Sequence, residues 1–211
     1  MLQSQLDSIT AQTRRLVQPE RLETIERSIG ELIPLESQIA QPGIPIASFS
    51  LPDAQGRAVR SSDLLALGPL ILKFFRGRWD PYCTTELEQW RDLHHDVRSH
   101  GALLVAISPQ TVRQNDFFVQ QHKLPFPILH DEACAYASTL GLSWTVPEYL
   151  QHYYRSILVN IPFINGEPSW RLPLPATAVV DRSGTLRRIE VHADFRVRPE
   201  PESILNAVAL L

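Results

Sequence analysis

The chain is poor in cysteine. Two in 211 residues, Cys83 and Cys134, are too few for a disulfide framework and lack the spacing of a zinc site, so reduced thiols are expected. Long apolar runs are also missing. Nothing approaches the roughly 20 residues that a membrane-spanning helix needs, and the opening stretch MLQSQLDSITAQTRRL has no apolar core of a signal peptide. A cytoplasmic protein without a membrane partner is the expectation. There is no basic run, the aromatics are not interleaved with Lys or Arg, and the net charge is −3, which gives no reason to expect nucleic acid. Gly141, Gly166 and Gly184 are isolated turn or cap glycines rather than a phosphate-cradling loop. No nucleophile elbow is present. His94, His95 and His100 lie on or near one helix, but adjacent histidines point in different directions and no second pair stands at ligand spacing. No metal and no cofactor is expected.

What is present suits one domain with a substantial core and appendages: 44% hydrophobic and 20% charged residues over 211 positions. The chain is organised around GPLILKFFRGRWDPYCTTELEQW. Leu70, Ile71, Leu72, Phe74 and Phe75, with one Lys73 among them, predict a strand covered on both faces. The period then changes. Leu87, Trp90 and Val97 recur at helical spacing, and Asp80-Pro81 supplies a capping carboxylate followed by the residue best suited to the first helical position. Cys83 falls in the first turn, where unpaired N–H groups and the helix dipole favour thiolate over thiol. It is the candidate nucleophile.

Residues 1–42 read as an N-terminal helical extension and 43–211 as the main domain, with Pro42-Gly43-Ile44-Pro45 as the breaker cluster between them. Leu22, Ile25, Ile29 and Leu32 or Ile33 give the extension an apolar face. It packs on the chain's own core, with a homodimer arm as the alternative. Ala47–Leu51 and Ala58–Arg60 form a hairpin closing onto a short capped helix at Ser61–Leu65. Ala102–Ile107 is a second buried strand, Thr111–His122 a helix and Pro127–Leu129 a short strand. Asp131 caps a further helix through Cys134 to Leu140. The β-α-β-α-β-α succession implies parallel strands with right-handed crossovers. Residues 143–171 predict a helix from Pro147 to about Leu158 and an insertion that packs its own aromatics, with a wall over the site as the alternative. Ala176–Asp181 and Thr185–Val191 form an antiparallel hairpin. A last helix from Pro201 buries Ile204, Leu205, Val208 and Leu211. The fold class is α/β, a mixed central sheet with helices on both faces.

The segment F-F-R-G-R-W-D-P-Y-C-T-T-E-L resembles the active-site segment of peroxiredoxin-like proteins of the thioredoxin superfamily, the alkyl hydroperoxide reductase/thiol-specific antioxidant type. P-I-A-S-F-S-L-P-D upstream and N-G-E-P-S-W-R-L-P-L-P-A-T-A-V-V-D-R-S-G downstream extend the resemblance over roughly Ile44 to Pro201. It implies a thioredoxin-like fold, with Cys83 as the peroxide-attacking cysteine and Arg76, Trp79, Asp80, Pro81, Tyr82, Pro175 and Thr177 shaping the site. Three positions depart from the family. Asp80 stands where a cysteine or a threonine is expected, and a carboxylate one turn from Cys83 raises the thiol pKa by repulsion. Arg76 stands where a proline is expected, and Pro175 where an arginine is expected. Thioredoxin-like proteins carry a cis-proline at that last place, so Leu174-Pro175 is the candidate cis bond. Cys134 is a candidate resolving thiol, although strands two places apart put it about 10 Å from Cys83, beyond disulfide reach.

The resemblance implies a peroxidase that reduces hydroperoxides through Cys83 with an external thioredoxin- or glutathione-like thiol. Two alternatives stay open. One is single-cysteine exchange with disulfide substrates. The other is a degenerate thioredoxin-fold module that binds and does not catalyse, since a fold does not guarantee its usual chemistry.

Overall fold

The computed structural model describes residues 1–211. Ten α-helices and nine strands follow one another along the chain. The helices are α1 (Leu2–Leu16), α2 (Pro19–Leu32), α3 (Ser61–Leu67), α4 (Pro81–Asp92), α5 (His94–Ser99), α6 (Val112–His122), α7 (Ala135–Thr139), α8 (Glu148–Ser156), α9 (Ile161–Asn165) and α10 (Pro201–Val208). The strands are β1 (Ser50–Pro52), β2 (Ala58–Arg60), β3 (Leu70–Phe74), β4 (Leu103–Ser108), β5 (Ile128–His130), β6 (Ser143–Thr145), β7 (Arg171–Pro173), β8 (Ala176–Val180) and β9 (Leu186–Val191). No helix is long and apolar enough to cross a membrane.

Five strands form the central sheet in the order β5-β4-β3-β8-β9. β3, β4 and β5 run parallel, while β8 pairs antiparallel with β3 and β9 antiparallel with β8. Side chains alternate across a strand, so β3 feeds two separate cores. Leu70, Leu72 and Phe74 meet Val105, Ile107, Ala176 and Ala178 on one face. Ile71 and Phe75 meet Leu87, Trp90, Phe118, Ile204 and Leu205 on the other. Lys73, in register with Thr177, belongs by parity to this second face. It is wholly buried, which obliges the fold to supply it with partners.

Several expectations change. The active-site helix ends at Asp92, and a second short helix, α5, carries Val97. The helix after β5 starts only at Ala135, because Ala133 and Cys134 take left-handed φ values of 50° and 56°. Asp131 still caps it across that kink, accepting from the Tyr136 and Ala137 N–H groups at 2.7 and 2.9 Å. Arg60 rather than a serine precedes α3, and Ser61 Oγ instead accepts from the Phe49 N–H. Leu211 is half exposed, since α10 stops before it. Leu174-Pro175 is trans. The chain runs extended from β7 into β8, with the Leu174 N–H donating to the Leu142 carbonyl at 2.6 Å, so there is no tight turn there for a cis bond to serve.

The extension folds back on its own chain. Leu2 and Leu6 of α1 are buried against Tyr82 at the start of α4, roughly 1.5–3 kcal/mol each by area burial. The Leu2 and Gln3 N–H groups donate to the Glu200 carboxylate at 2.8 and 2.9 Å, so an acidic side chain just before α10 caps the first helix. Tyr149 Oη of α8 donates to Glu31 of α2 at 2.6 Å, and Arg27 lies over the Tyr149 ring. The α8–α9 insertion closes around its own cluster of Val146, Leu150, Tyr154, Ile161, Trp170 and Leu172.

Candidate active site

The turn from β3 into α4 sets the site. Gly77 holds φ +146°, and a Cβ there would stand 2.7 Å from the Trp79 indole nitrogen, so only glycine lets the loop fold down over that ring. Asp80 then caps α4: its Oδ1 accepts from the Tyr82 N–H at 3.0 Å. Its Oδ2 is more heavily used. It accepts from Arg76 Nε and Nη2, both at 2.7 Å, and from the Cys83 thiol at 2.9 Å. Arg76, Asp80 and Cys83 are all buried. Arg78 points outward to Gln114.

A second ionic group lies behind the sulfur. Glu86, one turn on from Cys83, meets Lys73 Nζ through Oε1 at 2.8 Å and Arg198 Nε through Oε2 at 2.8 Å. Arg198 Nη2 lies 3.9 Å from Sγ. Lys73 also donates to the Ala176 carbonyl and to Thr177 Oγ1, each at 3.1 Å, which gives Thr177 an anchoring place in the site. Counted with Lys73 ionised, three cations and two carboxylates surround a neutral thiol, an excess of one positive charge.

The thiol keeps its proton. Burial, and next the Asp80 charge, push Cys83 up to about 12, while Arg198 and Arg76 pull the other way. The rise expected from the Asp80 carboxylate is present, and burial, which the sequence did not reveal, is the larger cause; together they outweigh the helix dipole. Lys73 is lowered by burial, with Glu86 opposing. Arg76 is raised, because the attraction of Asp80 overrides the cost of burial.

A cavity of about 180 Å³ opens against this turn. Arg76, Trp79, Asp80, Pro81 and Tyr82 form one side, and Leu22 and Ile25 of α2 with Tyr153 and Tyr154 of α8 form the other. Tyr154, pushed up to about 12 by burial, holds its hydroxyl 3.5 Å from Arg76 and its ring edge-on to Trp79. The Arg76 guanidinium stacks 3.8 Å over Phe195. Residues 143–171 therefore do both things weighed from the sequence: they pack their own aromatics and they wall the site. Cys83 itself does not line the cavity, whereas Asp80, its hydrogen-bond partner, does.

Most of the sequence candidates come together here. Arg76, Trp79, Asp80, Pro81, Tyr82 and Cys83 share one turn, and Pro175 is buried at the start of β8 beside it. Cys134 does not join them. It packs with Phe74 and Tyr136 on one face of the sheet while Cys83 packs with Leu87 and Phe118 on the other, and both are free and buried. Burial raises Cys134 well above an ordinary thiol. Glu86, Arg198, Tyr154 and Phe195 were missed. Glu86 carried a signal, a carboxylate on the helix stripe that includes Cys83, Leu87 and Trp90; Arg198 carried none.

The parallel β3-β4-β5 unit and the antiparallel β8-β9 hairpin define a thioredoxin-like fold, with a cysteine in the first turn of the helix after β3. Residues 42–189 match the family model described as AhpC/TSA family, and the chain belongs to that family. A protein of Mycobacterium tuberculosis (strain CDC 1551 / Oshkosh) that carries a peroxiredoxin name is 34% identical over 100 residues, 47% of this chain and 65% of that protein. The match thus spans just under two thirds of that relative's length. Chloroplastic peroxiredoxin Q of Suaeda salsa is 26% identical over 153 residues, 72% of this chain and 60% of that one. Among solved structures, peroxidoxin BcpB from Mycobacterium tuberculosis superposes with a TM-score of 0.64 at 23% identity, covering 82% of this chain and 98% of that one. The yeast mitochondrial 1-Cys peroxiredoxin gives 0.61 at 15% identity, covering 81% and 75%.

Proposed function

We propose that the protein is a single-cysteine thiol peroxidase. Cys83 attacks the terminal oxygen of a hydroperoxide and becomes a sulfenic acid, which an external thioredoxin- or glutathione-like thiol reduces back. The observation that carries this reading is the placing of Cys83 in the first turn of α4, in a chain of the AhpC/TSA family, among the guanidinium groups of Arg76 and Arg198. Those cations favour negative charge on sulfur and on the departing oxygen. An external reductant fits the position of Cys134 on the opposite face of the sheet. The reducing cytoplasm suits both free thiols. Residues 1–42, which lie almost wholly before the matched 42–189, act as an extension that completes the cavity rather than as part of the catalytic domain.

A second reading has one observation in its favour: the sulfur is wholly buried, as in a module that has kept the fold and given up the chemistry. Treatment with hydrogen peroxide in the presence of a sulfenic-acid probe separates the two. Wild type and Cys134→Ser label and Cys83→Ser does not, if the protein is a peroxidase. Equal labelling of wild type and Cys83→Ser, or no labelling of wild type, selects the module.

A further inference from the structure

Asp80 Oδ2 is the only acceptor in hydrogen-bond contact with the Cys83 thiol, at 2.9 Å. Although fully buried, and unlike Cys83, Asp80 is also among the residues that line the cavity beside the turn. Its orientation is fixed from three sides: the Tyr82 N–H on Oδ1, and Arg76 Nε and Nη2 on Oδ2. A carboxylate in contact with the nucleophile's proton, on a residue that lines the space a substrate would take, is placed as a proton carrier.

We propose that Asp80 is the acid–base catalyst of this site, taking the proton of Cys83 and handing it to the oxygen that leaves the peroxide. This rests on the peroxidase reading above. The proton passes from Sγ to Oδ2. The charge lost from Asp80 weakens its pair with Arg76 and lets the carboxyl turn off the sulfur, which opens the thiolate to the cavity. Sulfur then attacks the terminal oxygen of ROOH: the S–O bond forms, the O–O bond breaks, and its electron pair goes to RO⁻. Asp80 returns the proton to RO⁻, so that Cys–SH and ROOH become Cys–SOH and ROH. Sulfur is oxidised by two electrons and the peroxide is reduced by two. An alkoxide is a far stronger base than a thiolate, so the relay runs downhill overall even though its first step does not. Arg76, released from Asp80, faces the developing oxyanion, and Arg198, held by Glu86, faces the sulfur. The excess positive charge of the cluster is matched when negative charge develops there.

The departure from the family pattern at position 80 is on this view functional, and it makes a prediction that separates a base from a brake. Asp80→Asn keeps the capping oxygen and removes both the base and the like charge. Alkylation of Cys83 near neutral pH becomes faster than in wild type, because the thiol is more acidic. The rate of sulfenic acid formation with hydrogen peroxide or an organic hydroperoxide falls by about 100-fold. Asp80→Glu restores part of it. Asp80→Ser, which retains a capping hydroxyl, gives the same pair of readings should the asparagine variant fold poorly. An active wild type with Asp80→Asn as fast or faster toward peroxide shows that Asp80 only restrains the cysteine, and it overturns the proposal while leaving the peroxidase reading intact. A wild type inert to peroxide overturns the peroxidase reading, and the role of Asp80 falls with it.

Discussion

Glu86→Gln is the perturbation that reads the buried charge network most directly. The carboxylate is wholly buried and is the shared partner of Lys73 and Arg198, each at 2.8 Å. Glutamine keeps its shape and removes its charge. The amide oxygen still accepts from one of the two cations while the NH2 faces the other, and beyond residue 86 Arg198 keeps the Val197 carbonyl and Lys73 the Ala176 carbonyl and Thr177 hydroxyl. Removing one member of a buried ion pair costs about 3–5 kcal/mol, because the remaining charge stays out of water. Lys73 is lowered by burial with Glu86 opposing, and glutamine keeps one accepting oxygen in place, so the low end of that range is expected. For a chain of this size each kcal/mol moves the melting temperature by about 2–4 °C, so a fall of roughly 6–12 °C follows from about 3 kcal/mol. Urea unfolding at neutral pH gives the free energy, and thermal unfolding followed by circular dichroism gives the shift. Lys73→Met and the double variant complete a cycle whose coupling energy is about 0.5–3 kcal/mol, the double variant losing less than the sum of its parts. A Glu86→Gln protein that melts within about 2 °C of wild type, or a cycle with no coupling, refutes the network as described.

Two further outcomes follow from the site and its cover. Cys83 holds its proton to about 12 in the folded chain against 9.0 ordinarily; its contribution to stability is therefore complete below pH 9 and is lost as pH rises toward 12, at up to about 1.4 kcal/mol per unit. Urea midpoints of wild type and Cys83→Ser measured at about pH 8 and about pH 10.5 should converge at the higher value, and a constant difference would show that the thiol does not bind its proton more tightly when folded. Leu6→Ala removes a side chain with no exposure from the α1–Tyr82 contact, at a cost of about 2–5 kcal/mol. Since Leu2 and Leu6 of α1 pack on Tyr82, the neighbour of Cys83 in the first turn of α4, Cys83 alkylation should accelerate in step with this loss. An unchanged alkylation rate would mean that α1 does not shield the thiol.

Much of the sheet was legible because its strands are apolar on both faces and its turns carry their own chemistry. Leu70 to Phe75 and Ala102 to Ile107 stand out as buried strands on that basis alone. Asp80-Pro81 announces the start of α4 to the residue. The kink at Ala133-Cys134 was hidden, because neither residue is a type that favours positive φ and tertiary packing imposes it. The site was legible only where it is local. Asp80, Cys83 and Arg76 lie within one turn and one loop, but the link from Glu86 to Arg198 spans 112 positions and leaves no periodic trace. Lys73 was visible as a lone charge in an apolar strand, which announces a buried partner without naming it. The helix dipole argument at Cys83 failed because it weighed the dipole and the Asp80 charge without knowing the depth of burial, which proved the larger effect.

The capture of the Leu2 and Gln3 N–H groups by Glu200 reaches across 198 and 197 positions. On the ribosome the two ends of that contact are made far apart in time. At about 5–20 residues per second, residue 2 is added roughly 10–40 seconds before residue 200. During that interval Leu2 and Leu6 can cover Tyr82, but nothing holds the first turn of the helix in place. The anchor of α1, whose Thr10, Thr13 and Arg14 line the cavity beside Asp80, therefore comes later than the synthesis of α4. The nascent chain passes through a stage in which the thiol turn has been made and its cover is not yet anchored.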